Sequence, residues 1–160
     1  MGDVTYLRVK GEWRYLAVVM DKYSRRIVGW SLDRVRDFTL TRAALFQALR
    51  KRGTQPGRVF HSDRGMEYGS AEYRALMKRH GFVQSMNRPC RMNDNAHMES
   101  FFHTMKTEYI HGKTFKTDAD LRRTLKTYIS FYNYDRIHTS VGRTSPAAFE
   151  QRKPNNPSVN

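Results

Sequence analysis

The residues with most to offer chemically are acids. Asp63 lies in His61-Ser62-Asp63-Arg64-Gly65, directly after Val59 and Phe60, an apolar pair introduced by a Pro56-Gly57 loop. This pattern predicts a short buried strand that breaks into a turn, with Asp63 at its exposed carboxyl end. Ligand chemistry in open α/β sheets collects at such ends, where the backbone stops pairing and side chains converge on a crevice. Glu99 is separated from Asp63 by 35 residues and opens a strongly helical segment, and a third acid, Asp3, falls in the first predicted strand. Turn chemistry alone accounts for Asp-Arg-Gly, and the helix macrodipole alone favours a Glu in a first turn. The combination of three acids is what points to a site.

The elements that must position these acids can be read in order. Residues 3 to 9 are β-branched and aromatic, and Gly11-Glu12 turns the chain into a second strand whose stretch Tyr15 to Met20 is continuously apolar, as suits burial on both faces. A polar loop, Asp21 to Arg25, leads to a third strand from Arg26 to Leu32, and short loops make the three an antiparallel meander. Leu40, Ala44, Leu45, Ala48 and Leu49 then take helical spacing after Thr39, with Gly53 as the stop. The strand ending at Asp63 returns through that helix and is therefore parallel, by a right-handed crossover. Ser70 caps the next helix, which carries Tyr73, Leu76 and Met77 on one face and ends at Gly81; Phe82 to Met86 is the last strand. Beyond a loop over residues 87 to 93, Met98, Phe101, Phe102, Met105 and Tyr109 form an apolar stripe with Glu99 at its edge and His103 and Lys106 beside it. A final helix from Asp118 carries Leu121, Leu125, Tyr128, Ile129 and Tyr132, whose aromatics read as core. The expectation is one α/β domain over residues 1–152: a five-stranded mixed sheet, three antiparallel strands then parallel strands, with helices on both faces, followed by a flexible tail over 153–160.

Composition narrows the function. Against 15 Asp and Glu stand 29 Lys and Arg, a formal net charge of +14. Such an excess favours a polyanionic partner, because each neutralised phosphate releases counterions. A hydrophobic fraction of 39% with 12% aromatics belongs to a folded domain and not to a basic tail. The single cysteine, Cys90, excludes an internal disulfide and a Cys-pair zinc site. No apolar run approaches the roughly 20 residues of a membrane span. A soluble, intracellular chain is expected, and because the folded pattern starts by residue 3 it reads as a domain cut from something longer.

The residues resemble a known family, the OrfB-type DDE transposases of bacterial insertion sequences, whose catalytic cores are similar to those of retroviral integrases and have an RNase H-like fold. The resemblance runs over nearly the whole chain: Asp3-Val4-Thr5-Tyr6, Tyr15 to Met20, Ser24 to Trp30, the Asp63 motif with Tyr68, Asp94-Asn95-Ala96 with Met98 to Phe102, Lys106-Thr107-Glu108, Tyr132-Asn133 and Ser145-Pro146. Two places depart from the family's pattern. Met66-Glu67 stands where Ser-Gln is common, and Asn87-Arg88-Pro89-Cys90-Arg91-Met92-Asn93 replaces the commoner Gly-Asn-Cys-Trp type of loop.

What the resemblance implies is specific. Asp3, Asp63 and Glu99 would be the catalytic, metal-binding triad, holding two Mg²⁺ with Mn²⁺ able to substitute. The activity would be cleavage of DNA at element ends and strand transfer by the freed 3′ hydroxyl. Lys106 resembles the family's lysine that contacts the DNA end, although a solvated helix face accounts for it equally well; His103, Asn95, Arg91, Arg88 and Arg64 are further DNA-binding candidates. His61 reads as a hydrogen-bonded structural residue, and Asn95 as a helix cap, a substrate-orienting group, or both. Expected partners are the element ends and a target duplex, with a homo-oligomer in the active complex, in the bacterial cytoplasm at the nucleoid and with no membrane. Two alternatives are an RNase H-like nuclease without strand transfer and a non-catalytic DNA-binding remnant.

A DNA phosphodiester is a poor electrophile ringed by negative charge, and no cysteine or Ser-His constellation offers a covalent route. Three hard carboxylates around divalent cations suit that problem, and cations also resolve the repulsion between clustered acids and a polyanion. The three acids should therefore converge to within several ångströms, with Glu99 somewhat withdrawn when no metal is present.

Overall fold

The computed structural model describes residues 1–87 and 95–152. Strand β1 (Gly2–Val9) and strand β2 (Glu12–Met20) form a hairpin whose two turn residues, Lys10 and Gly11, both take positive φ, 50° and 81°. That two-residue turn has the twist of its flanking strands. It sits one residue earlier than Gly11-Glu12 suggested. Strand β3 (Ile27–Asp33) completes the antiparallel meander on β2. The sheet has five strands in the order β3-β2-β1-β4-β5, with β4 (Val59–Ser62) parallel to β1 and β5 (Val83–Met86) parallel to β4. This is the mixed sheet expected.

Alternation along β2 divides the core. Leu16, Val18 and Met20 face one apolar cluster and Ala17 and Val19 the other, so the central strand is buried on both sides as its unbroken apolar run implies. One face is covered by α1 (Phe38–Arg52), the single turn α2 (Met66–Gly69) and α3 (Ala71–Arg79). The Asp37 carboxylate caps α1 by accepting from Leu40 N at 3.0 Å, and Ser70 Oγ caps α3 by accepting from Tyr73 N at 3.1 Å. Gly29 lets β3 lie against α1, since a Cβ there would meet Ala44 O at 2.0 Å.

On the other face lie α4 (Ala96–Met105) and α5 (Asp118–Tyr134). Met98, Phe101, Phe102 and Met105 are buried against Leu121, Leu125 and Tyr128, which bears out the stripe and the core reading of the α5 aromatics. Tyr109 does not continue α4. The chain widens at Lys106–Ile110 into a π-helical turn, with His111 N donating to Lys106 O at 2.7 Å, and Tyr109 packs half-buried on Tyr128. A last helix, α6 (Pro146–Gln151), is capped by Ser145 with proline in its first turn, and its Glu150 accepts from Ser24 Oγ and Arg26 Nη1, each at 2.6 Å. The predicted tail over 153–160 lies outside the described residues. Among the described residues no helix is long and apolar enough to cross a membrane.

The edge strand β3 is held to α5 by Arg122, which donates to Leu32 O, and by the amide of Asn133. Asn133 Oδ1 accepts from Ile27 N at 2.8 Å and Asn133 Nδ2 donates to Ile27 O at 2.9 Å, both buried. Asn133→Ala strands both backbone groups and should lower stability by about 2–4 kcal/mol. Chemical denaturation is the check; a change under about 0.5 kcal/mol would show that water replaces the amide freely.

Candidate active site

The sheet brings two of the acids together by a single pairing. Gly2 on β1 is in register with Ser62 on β4, and the next residue on each strand is the acid, Asp3 and Asp63. Asp63 directly follows the last residue of β4, at the strand end where the sequence put it. Its Oδ1 accepts from Gly65 N at 3.0 Å, which turns the chain into α2. Neighbouring residues brace that turn. His61 has both ring nitrogens engaged, Nδ1 with Ser85 Oγ at 3.0 Å and Nε2 with Asn87 Oδ1 at 2.9 Å, so the structural reading of His61 accords with its contacts. Arg64 Nε donates to Asn87 O at 2.8 Å, so at least that edge of the DNA-binding candidate holds the loop.

Asp3 lies on the sheet face covered by α4, in phase with Leu7 and Val9 of the core below that helix. Its Oδ1 accepts from Val4 N at 2.7 Å and its Oδ2 from Asn95 Nδ2 at 2.8 Å. Burial pushes the Asp3 carboxyl up to about 7; the Val4 N–H opposes this, the negative charge of Asp63 adds to it, and Arg36 and Glu99 act with smaller, opposite effects. All three predicted acids thus share one electrostatic field. Glu99 itself is exposed in the first turn of α4. Among the described residues no three His, Cys, Asp or Glu side chains are assembled to hold an ion as they stand.

Two residues that sequence reasoning did not nominate complete the surroundings. Arg36, in the loop between β3 and α1, donates from Nε at 3.0 Å and from Nη2 at 2.8 Å to Glu67 Oε1, and the same Nη2 is 3.9 Å from Asp63 Oδ2. The Glu67 side chain is 4% exposed and lies so close under the turn that a Cβ on Gly65 would meet its Oε1 at 2.5 Å. The departure to Met66-Glu67 was the available signal: an acid buried one turn past Asp63 requires a cation. Nothing in the sequence said which of 29 cations would supply it.

The remaining candidates divide. Asn95 stands at the N-cap position of α4 yet makes no capping bond, which corrects the cap reading; its buried Nδ2 donates to Asp3. His103 is exposed, and Lys106 is half-buried with Nζ 4.6 Å from the ring centroid of exposed Tyr6. Tyr6 meets Trp13 edge-on at 4.9 Å, and Arg8 covers Trp13 at 4.1 Å, so cations and exposed aromatics adjoin the site along β1. Arg88 and Arg91 lie outside the described residues.

The donor set suits a hard divalent cation. Carboxylate oxygens are such an ion's preferred ligands, and an acid whose ionisation burial pushes up to about 7 is one a cation would ionise. The proton has a measurable consequence. Unfolded, Asp3 ionises near 3.8, whereas folded it keeps its proton to about 7. Between those values the folded chain binds a proton the unfolded chain has released, so this group's contribution to stability falls as pH rises from about 4 to 7 and is constant above. In metal-free buffer the stability difference between wild type and Asp3→Asn should therefore change by up to a few kcal/mol across that window. A pH-independent difference would show that Asp3 is ionised throughout.

Comparison with known proteins fits this geometry. The integrase core domain family model matches residues 1–92, and a second integrase core domain model matches residues 99–153. Over 152 residues the chain is 43% identical to transposase InsF for insertion sequence IS3A of Escherichia coli (strain K12), covering 94% of this chain and 53% of that protein. It is 39% identical to the transposase for insertion sequence element IS904 of Lactococcus lactis subsp. lactis (strain IL1403), covering 94% and 60%. The chain thus spans little more than half the length of these curated relatives. Among solved structures, the HTLV-2 integrase catalytic core domain in complex with magnesium (trimeric form) superposes with a TM-score of 0.70 at 19% identity, covering 89% of each chain. A simian T-cell lymphotropic virus intasome chain gives 0.81 at 17% identity, covering 99% of this chain and 56% of that one. These likenesses carry the fold, which is the RNase H-like arrangement of the integrase cores, and the two family models supply the assignment: the chain belongs to the integrase core domain family.

Proposed function

We propose that the chain is the catalytic domain of a DDE transposase, which cleaves DNA at element ends and joins the freed 3′ hydroxyl to a target. The observation that carries this reading is the register Gly2↔Ser62, which sets Asp3 beside Asp63 in a field shared with Glu99. Asp3, Asp63 and Glu99 would hold two Mg²⁺, or Mn²⁺ in their place. When bound, such ions supply positive charge that activates the attacking hydroxyl and stabilises the leaving oxygen. Asn95 orients the Asp3 carboxylate, and Arg36 with Glu67 fixes the turn that carries Asp63. Lys106 and His103, next along the α4 flank that carries Glu99, would bind the DNA backbone. The net charge of +14 draws DNA to a site whose own carboxylates repel it.

Magnesium appears with the HTLV-2 integrase core, which was solved in dimeric and trimeric forms, and the simian virus protein sits in an intasome. These support a divalent-metal cofactor and a homo-oligomer acting on element ends and a target duplex. Plasmid nicking separates chemistry from binding. Asp63→Asn should abolish Mg²⁺- or Mn²⁺-dependent nicking while DNA affinity is kept or tightened, because a negative charge beside the backbone is removed. Lys106→Ala should keep the fold yet flatten the dependence of log affinity on log salt by about one unit. Persistent nicking by a clean Asp63→Asn preparation would remove Asp63 from the site, and an unchanged slope would return Lys106 to a solvated helix face.

A further inference from the structure

Among the described residues, Arg25 has two guanidinium nitrogens buried without an acceptor. It sits in the β2–β3 turn at φ 66°, a region sparsely used by residues other than glycine, held there by its own N–H donating to Asp21 O at 2.8 Å. Its neighbour Arg26 is fully engaged, with Glu150 at 2.6 Å and the Tyr134 hydroxyl at 2.9 Å. The Arg25 Nε and Nη1 are both shut off from solvent and have no hydrogen-bond partner. Guanidinium N–H groups buried without an acceptor are costly and uncommon, and a bound anion would satisfy them.

The space they border is built for one. Arg25 lines a polar cavity of about 110 Å³ together with His97, Ser100, Thr104, Arg136 and Ser140. That volume accommodates several waters or one tetrahedral oxyanion. Its lining includes two guanidinium groups, the four hydroxyls of Ser100, Thr104, Tyr132 and Ser140, and no carboxylate. Arg136 uses Nη2 on Glu108 at 3.0 Å. His138 also borders the cavity, but its Nε2 donates to Tyr132 O at 3.4 Å, so it contributes shape.

We propose that this cavity is a phosphate-binding pocket filled by a backbone phosphate of DNA, outside the catalytic crevice. Placement on α4 favours DNA as the source. One flank of that helix carries Glu99, His103 and Lys106, and the adjoining flank, at His97, Ser100 and Thr104, lines the pocket. A duplex lying across α4 reaches both. The choice of DNA rests on the proposed function, whereas the phosphate chemistry rests on Arg25 alone.

Two measurements test it on the full chain. Inorganic phosphate at ten times its Kd, compared with chloride at equal ionic strength, should raise the melting temperature of wild type by roughly 3–5 °C. Arg25→Met should abolish that increment, and so should Thr104→Glu, which tethers a carboxylate beside Arg25; the second variant carries the test if the first does not fold. Anisotropy titrations of a labelled duplex over a KCl series should show the slope of log affinity on log salt flattened by about one unit in either variant. A phosphate increment retained in both variants overturns the pocket. Loss of the increment with an unchanged DNA slope overturns DNA as the source. Metal-dependent nicking by wild type reports separately on the proposed function, so its failure is not confused with failure of the pocket.

Discussion

Two carboxylates on neighbouring strands repel each other, and much of this structure can be understood as holding them there. The parallel contact between β1 and β4 is a single register pair, Gly2 with Ser62, so the adjacency of Asp3 and Asp63 depends on one point of contact inside an otherwise well-paired sheet. The compensation is local. Asn95 donates to Asp3, Gly65 N–H donates to Asp63, Arg36 stands 3.9 Å from Asp63, and burial raises the pKa of Asp3. Each measure lowers the charge repulsion or satisfies an oxygen, and none closes the site to an incoming cation.

Rigid packing below the acids makes this tension sustainable. Met98, Phe101, Phe102 and Met105 seat α4 on the core, and Phe101 meets Tyr132 of α5 edge-on at 4.9 Å. With that stripe fixed, Glu99 sits at its margin, within the electrostatic reach of Asp3. Below the opposite face Tyr68 and Tyr73 pack at 5.2 Å beside Phe60, which fixes α2 and hence Glu67 under the Asp63 turn. Aromatic pairs of this kind add about 0.5–1.5 kcal/mol beyond the area they bury. The site is positioned from both layers of the domain.

What could be read in advance was whatever repeats or spaces itself along the chain. The unbroken apolar run of β2, the α4 stripe from Met98 to Met105 and the Ser70 cap are all local or periodic signals, and each reappears in the structure. Contacts between distant single residues left no such trace. Arg36 with Glu67, Asn95 with Asp3, Asn133 with Ile27 and Glu150 with Arg26 join residues 31 to 124 positions apart, and neither partner announces the other. The π-helical turn at Lys106–Ile110 was invisible for a different reason: Tyr109 is in phase with Met98 for an ordinary α-helix, and only the backbone bond from His111 to Lys106 reveals the wider turn.

The positive charge of the chain and its acidic centre make sense together only if cations stand between DNA and the carboxylates. Anomalous diffraction from crystals soaked in Mn²⁺ measures this most directly. The account predicts Mn²⁺ density shared by the Asp3 and Asp63 carboxylates, with the Glu99 side chain drawn in from solvent to reach the same ion or its neighbour. Mn²⁺ bound elsewhere on the chain, with Asp3 still paired to Asn95 and no ion between the strand acids, would contradict it.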